Sequence, residues 1–104
     1  KAEYEALAKA NENSWRILFS IANVFSYNEY SKEAIQMWQK TFDCMPKPRY
    51  TDSFEAMAQC CVRMGDHESA VEYYKKELEL LREDWGLKYG AEVDALEEKI
   101  RALQ

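Results

Sequence analysis

Helix-breaking residues are scarce in this chain. It holds 3 glycines and 2 prolines in 104 residues, and neither type occurs before Pro46. A β-sandwich of many turns needs such residues at regular spacing, so that class is disfavoured and long helices are favoured. Long apolar runs are missing too. No uninterrupted run exceeds three residues, which excludes a membrane-spanning helix and a signal-peptide core within these residues. Histidine occurs once, at His67, and cysteine three times, at Cys44, Cys60 and Cys61. An odd cysteine count with no C-x-x-C spacing reads as reduced thiols in a cytoplasmic protein. No Gly-rich phosphate loop, H-E-x-x-H or paired catalytic carboxylate motif is present. The reading is therefore non-enzymatic, with no catalytic residue, no cofactor and no metal ligand. His67 falls in a predicted turn and is expected to be a plain exposed residue.

What is present is globular. Hydrophobic residues make up 47% and charged residues 32%, which suits one domain with a real core rather than a disordered chain. The formal charge is -5. Residues 1–65 carry 8 acidic and 8 basic groups, whereas residues 66–104 carry 11 acidic and 6 basic. The whole imbalance is C-terminal. It disfavours direct binding of nucleic acid or an anionic membrane by this segment. A solvated helix face accounts for it, and so does a surface that meets a basic partner.

Breaks fall at Asn11–Ser14, Asn28–Ser31, Pro46–Pro48, Gly65-Asp66 and Gly86–Gly90. Between them six helices are predicted, over 2–11, 14–27, 31–44, 52–64, 67–85 and 91–103. Gly65 can take a left-handed position after the fourth, and Asp66 can cap the fifth. Asp52-Ser53-Phe54-Glu55 has capping-box spacing at the start of the fourth. In the last helix Val93, Leu96, Ile100 and Leu103 form one stripe, with Glu97 and Arg101 as an i,i+4 pair on the wet side.

Sliding the chain by 36 residues aligns Leu18 with Phe54, Ile21 with Met57, Ala22 with Ala58 and Phe25 with Cys61. Ala34 then meets Ala70, Ile35 meets Val71, Trp38 meets Tyr74 and Phe42 meets Leu78. Small residues at Ala22/Ala34 and Ala58/Ala70 are what two closely crossing helices need. By this alignment Cys61 is a core position, and Cys60 has the best chance of exposure among the thiols. The tryptophans and tyrosines are expected mostly on core-facing stripes.

Each copy resembles the tetratricopeptide repeat. The first reads Leu18-x2-Ile21-Ala22-x2-Phe25-x8-Ala34-x3-Trp38-x2-Thr41-x4-Pro46. The second reads Phe54-x2-Met57-Ala58-x2-Cys61-x8-Ala70-x3-Tyr74. Thr41 and Glu77 stand where a small residue is commonest, and Arg82 replaces the terminal proline. The resemblance implies an all-α array of antiparallel helical hairpins, an α-solenoid of about six helices with a C-terminal capping helix. Residues 1–13 would be a partial N-terminal repeat, 14–48 the first repeat, 49–85 the second and 86–104 the cap. Residues 2–11 would then be the second helix of an earlier repeat, with more chain upstream. It also implies a concave groove lined by Arg16, Phe19, Asn23, Ser26 and Tyr27 from the first copy. Asp52, Glu55, Gln59, Val62 and Arg63 would come from the second. Such a groove holds a partner protein's extended peptide or helix. The clamp that some relatives use for a C-terminal carboxylate is incomplete, because Phe19 stands at its Lys and Ala56 at an Asn. A groove covered by other parts of the chain is the competing reading.

The stretch Glu79–Leu87, followed by Gly90–Ile100, is similar to the end of the bacterial transcriptional activator domain of antibiotic-regulatory-type regulators. That likeness implies a regulatory domain that transmits signals or forms a homodimer, with DNA contacts made by another domain. A free-standing repeat adaptor with a solubilising terminal helix explains the same residues.

Overall fold

The computed structural model describes residues 1–104. The protein is all-α, with six helices and no strand. They are α1 (Ala2–Ala10), α2 (Trp15–Tyr27), α3 (Ser31–Asp43), α4 (Asp52–Arg63), α5 (His67–Trp85) and α6 (Ala91–Leu103). Each lies within a residue of its expected boundaries. No helix is long and apolar enough to cross a membrane. The chain gathers into two units, Lys1–Pro46 and Lys47–Gln104. The division falls at the proline pair.

In the first unit α2 and α3 form a hairpin. The turn closes by two bonds: Glu29 N–H donates to Ser26 C=O (3.1 Å) and Tyr30 N–H to Phe25 C=O (2.8 Å). That pattern requires a left-handed residue, and Glu29 supplies it at φ 66°. Leu18, Ile21, Phe25 and Trp38 are buried, and Ala22 and Ala34 have no exposed surface, as a close crossing demands. Tyr4 and Tyr30 meet Phe25 edge-on, with ring centroids at 6.4 and 6.2 Å. Lys1 ties the start of α1 to α3 through Glu33 (3.2 Å) and lies 4.9 Å from the Tyr30 ring.

In the second unit α4 and α5 form the corresponding hairpin. Its turn closes through Gly65 N–H to Val62 C=O (3.0 Å) and Asp66 N–H to Cys61 C=O (2.9 Å). Gly65 is left-handed at φ 79°. Asp66 caps α5, its side chain accepting from Ser69 N–H (3.1 Å). The Ser69 hydroxyl, and after it this backbone N–H, hold the Asp66 carboxyl below its usual range. Phe54, Met57, Ala58, Cys61, Ala70, Val71 and Tyr74 are buried. The 36-residue offset therefore maps one hairpin's core onto the other, turn included.

Gly86, left-handed at φ 66°, ends α5, and Leu87 N–H reaches Leu81 C=O (2.9 Å). The chain turns there so that α6 packs on α5 with Val93, Leu96 and Ile100 buried. These are three of the four residues of the expected stripe, and the fourth, Leu103, is half-buried.

Four expectations need correction. Asp52 is not a cap: the residue before α4 is Thr51, and no side-chain cap bond forms. The Glu55 carboxylate reaches instead toward Gln59 and Lys99. Arg101 pairs with Glu98 at i,i+3 (2.7 Å), not with Glu97. Cys60 has no exposed surface, because it falls on the buried side of α4 beside Met57 and Cys61. The tryptophans and tyrosines are not mostly core: six of the ten are exposed, with Tyr27 at 90% and Tyr89 at 82%.

Candidate functional site

The residues expected to line a groove form one row on each hairpin's first helix. On α2, Arg16, Asn23 and Tyr27 are exposed, and Phe19 and Ser26 are half-buried. Their spacing of three and four residues keeps them on one side, opposite the buried Leu18, Ala22 and Phe25. The guanidinium of Arg16 lies 5.0 Å from the Trp15 ring. Arg16 also lines a shallow, largely apolar hollow of about 290 Å³ with Tyr4, Leu7, Ile17 and Val24.

On α4, Asp52, Gln59, Val62 and Arg63 are exposed and Glu55 is half-buried. Glu55 Oε1 accepts from Gln59 Nε2 and Lys99 Nζ, both at 3.4 Å. This carboxylate is therefore engaged within its own unit. Lys99 also lies 5.5 Å from the Tyr74 ring, so α6 is pinned across the start of the α4 row. The structure thus brings the five α2 residues together on one helix face and the five α4 residues on another.

Three features escaped the sequence reading. The first is a hollow of about 730 Å³ in the first unit. Its floor includes Ala8, Leu18, Phe25 and Met37, and its rim carries Lys9 and Lys40 beside Glu5 and Glu12. None of the α2 row lines it. The second is a clamp between the segment before α4 and the end of α5. Arg49 donates to Asp84 through Nε (2.8 Å), Nη2 (2.9 Å) and its backbone N–H (2.9 Å). These bonds hold the Asp84 carboxyl down at about 2. Trp85 Nε1 donates to the Arg49 carbonyl (2.7 Å). Beside this clamp a cavity of about 410 Å³ opens. The partners are 35 and 36 residues apart, so no local pattern announces them.

The third is Glu77. It is 3% exposed, and its Oε1 has no hydrogen-bond partner. Burial, aided by the nearby Glu55, pushes its carboxyl up to about 8, with Lys99 opposing. In the sequence its one signal is that it stands where the resemblance to the repeat leads one to expect a small residue.

His67 is exposed at the first position of α5. Cys61 is buried, and desolvation pushes its thiol up to about 11, away from the reactive thiolate. Burial likewise raises the half-buried Cys44. Compared with models of known protein families the chain matches none, and a comparison with curated proteins finds no match.

Proposed function

We propose that this chain is a non-enzymatic protein-interaction domain of the helical-repeat kind, in which the α2 row and the α4 row each present a surface to a partner's peptide or helix. One observation carries this reading. The hairpins repeat at 36 residues with matching buried sets, yet the matching outward rows keep large, chemically mixed side chains at the surface. Tyr27 is 90% exposed and Arg16 is exposed, so burial holds neither of them where it stands. Phe19 is the apolar anchor of the α2 row with Arg16 as its donor, and Arg63 is the donor of the α4 row. The preferred setting is the regulatory part of a bacterial transcriptional regulator, in the cytoplasm, with DNA contacts made by another domain. The short Gly86 turn and the closing helix α6 support that setting.

Two experiments test it. Alanine at Phe19 together with Tyr27, and separately at Arg63, should abolish capture of the partner from lysate while leaving the circular dichroism melt in place. Unchanged capture removes the groove. For the setting, the natural protein lacking residues 1–104 should lose promoter-dependent transcription in a reporter assay. A reporter that responds equally well removes the regulatory role and leaves an adaptor.

A further inference from the structure

The cavity at the end of α5 differs chemically from the rest of the surface. It is bounded by Tyr50, Asp52, Leu81, Trp85, Leu87 and Glu92, with Thr51 between the first two, and encloses about 410 Å³. No basic side chain lines it, whereas two carboxylates do. Arg49, adjacent in sequence, already has its charge met by the bidentate bond to Asp84. Electrostatically the cavity therefore selects for a cation.

Its aromatic wall is built in advance. Tyr50 and Trp85 lie with ring centroids 6.2 Å apart and planes tilted by 32°. They are 49% and 46% exposed, so ring surface faces solvent rather than core. The bond from Trp85 Nε1 to the Arg49 carbonyl sets the indole's rotation, and the Asp84 side chain, 1% exposed, holds Arg49 still. A site whose walls are fixed before binding loses little entropy when a ligand arrives.

Aromatic faces attract cations, and among side-chain cations the planar guanidinium stacks on rings and forks onto carboxylates. Leu81 and Leu87 give the aliphatic stem an apolar path. The surrounding residues 66–104 carry 11 acidic groups against 6 basic ones, which draws basic segments to this unit.

We propose that this cavity binds the guanidinium group of an arginine in a basic partner segment, stacked on the Tyr50–Trp85 wall and paired with Asp52 and Glu92. The source of the arginine rests on the interaction function proposed above; the site's chemistry does not. Asp52 belongs to both surfaces, but Phe19, Tyr27 and Arg63 line no part of the cavity and Glu92 and Trp85 no part of the rows, so failure of one proposal is distinguishable from failure of the other.

The test is a nitrogen-15 NMR titration of the intact chain with the blocked tripeptide Ala-Arg-Ala. Saturable shifts are expected at the Trp85 indole N–H and at the Tyr50 and Leu87 amides. The neutral, isosteric citrulline peptide should bind about tenfold more weakly or worse, since it keeps the shape and loses the charge. The double variant D52N/E92Q alters exposed side chains only, so its spectrum should stay dispersed while affinity falls about fivefold or more. Tetramethylammonium should shift the indole but fall short of the arginine peptide, because it cannot donate hydrogen bonds. Equal binding of citrulline, an unchanged double variant or no saturable indole shift overturns the proposal. Tetramethylammonium binding as tightly as the arginine peptide overturns the assignment to a guanidinium.

Discussion

The two hairpins solve one packing problem with different parts. Both place alanines without exposed surface where helices cross, at Ala22/Ala34 and Ala58/Ala70. Both close their turns with the same pair of backbone bonds. They differ in what fills the adjacent space, in the polar group they bury and in the residue that takes the left-handed turn. Phe25 in the first becomes Cys61 in the second, Thr41 becomes Glu77, and Glu29 becomes Gly65. Thr41 satisfies itself locally, its hydroxyl donating to Met37 C=O at 2.8 Å. Glu77 leaves one oxygen without a partner. The first hairpin is thus strained at its turn, and in its core only the neutral Trp38 Nε1–H lacks a partner. The second is relaxed at its turn and leaves Ser53 Oγ and an oxygen of the titratable Glu77 without partners in its core.

The largest test of this contrast lies at the 25/61 pair. Phe25 is 1% exposed and Cys61 2%. Phe25→Ala removes a buried ring and leaves a cavity, costing about 3–5 kcal/mol. Cys61→Ala removes one sulfur and costs about 1 kcal/mol. Urea unfolding midpoints at constant slope measure both. Equal losses would show that the two positions are not equivalent in packing, and the repeat alignment would fail where it is most specific.

Glu77 makes the second contrast dependent on pH. Its folded carboxyl sits at about 8 against an ordinary 4.5. Between those values the folded chain holds a proton that the unfolded chain has released. Its contribution to stability is full below about 4.5 and is lost as pH rises through 8, at up to about 1.4 kcal/mol per pH unit. The groups around it are Asp52 and Glu55 on α4, Tyr74 on α5, and Glu92 and Lys99 on α6. Placing the first hairpin's residue there, Glu77→Thr, should flatten melting temperature against pH across that window. Thr41→Glu should steepen it. A wild-type melt that does not fall from pH 5 to pH 8 would remove the buried proton.

Asp84 carries the opposite sign and has no counterpart in the first hairpin. Its pKa of about 2 lies below the ordinary 3.8, so its contribution is present above 3.8 and is lost as pH falls through 2. Asp84→Asn should cost about 1.5–3 kcal/mol, the range for bonds to a charged group. It should also release Trp85, seen as a red shift in fluorescence. If Asp84→Asn leaves both melt and emission unchanged, the clamp contributes nothing.

What the sequence disclosed follows physical range. Helices α2 to α6 were legible because their apolar residues recur at helical spacing. The 36-residue repeat was legible because alanine is required at a tight crossing. The Gly65-Asp66 turn was legible because few residues can fill those two positions. The Arg49–Asp84–Trp85 clamp was not, since a bond between residues 35 apart leaves no local trace. Cys60 was misplaced because the buried arc of α4 is wider than one stripe: Met57, Cys60 and Cys61 all lie on it. Of the candidate rows, exposure was read correctly for most members, while the engagement of Glu55 by Lys99 depends on where α6 returns.

The smallest expected effect is at the turns, and its sign differs between hairpins. Glu29 holds φ 66° with a side chain, a conformation that costs a non-glycine residue about 1 kcal/mol. Glu29→Gly relieves that strain but widens the unfolded ensemble, so the net gain should be about 0.5 kcal/mol. Gly65→Ala, at φ 79°, meets no neighbouring atom within 4 Å, so its cost is conformational alone, about 1 kcal/mol. Tyr30→Asp would add to the first turn the cap that Asp66 gives the second, since α3 now begins with no side-chain cap bond. That change should gain about 1 kcal/mol, less the loss of the Tyr30 edge against Phe25. Thermal melts of the three variants check the signs. If Glu29→Gly lowers the melting temperature as Gly65→Ala does, the left-handed turn is not strained in the first hairpin. The Glu29 side chain must then stabilise it by more than the backbone costs.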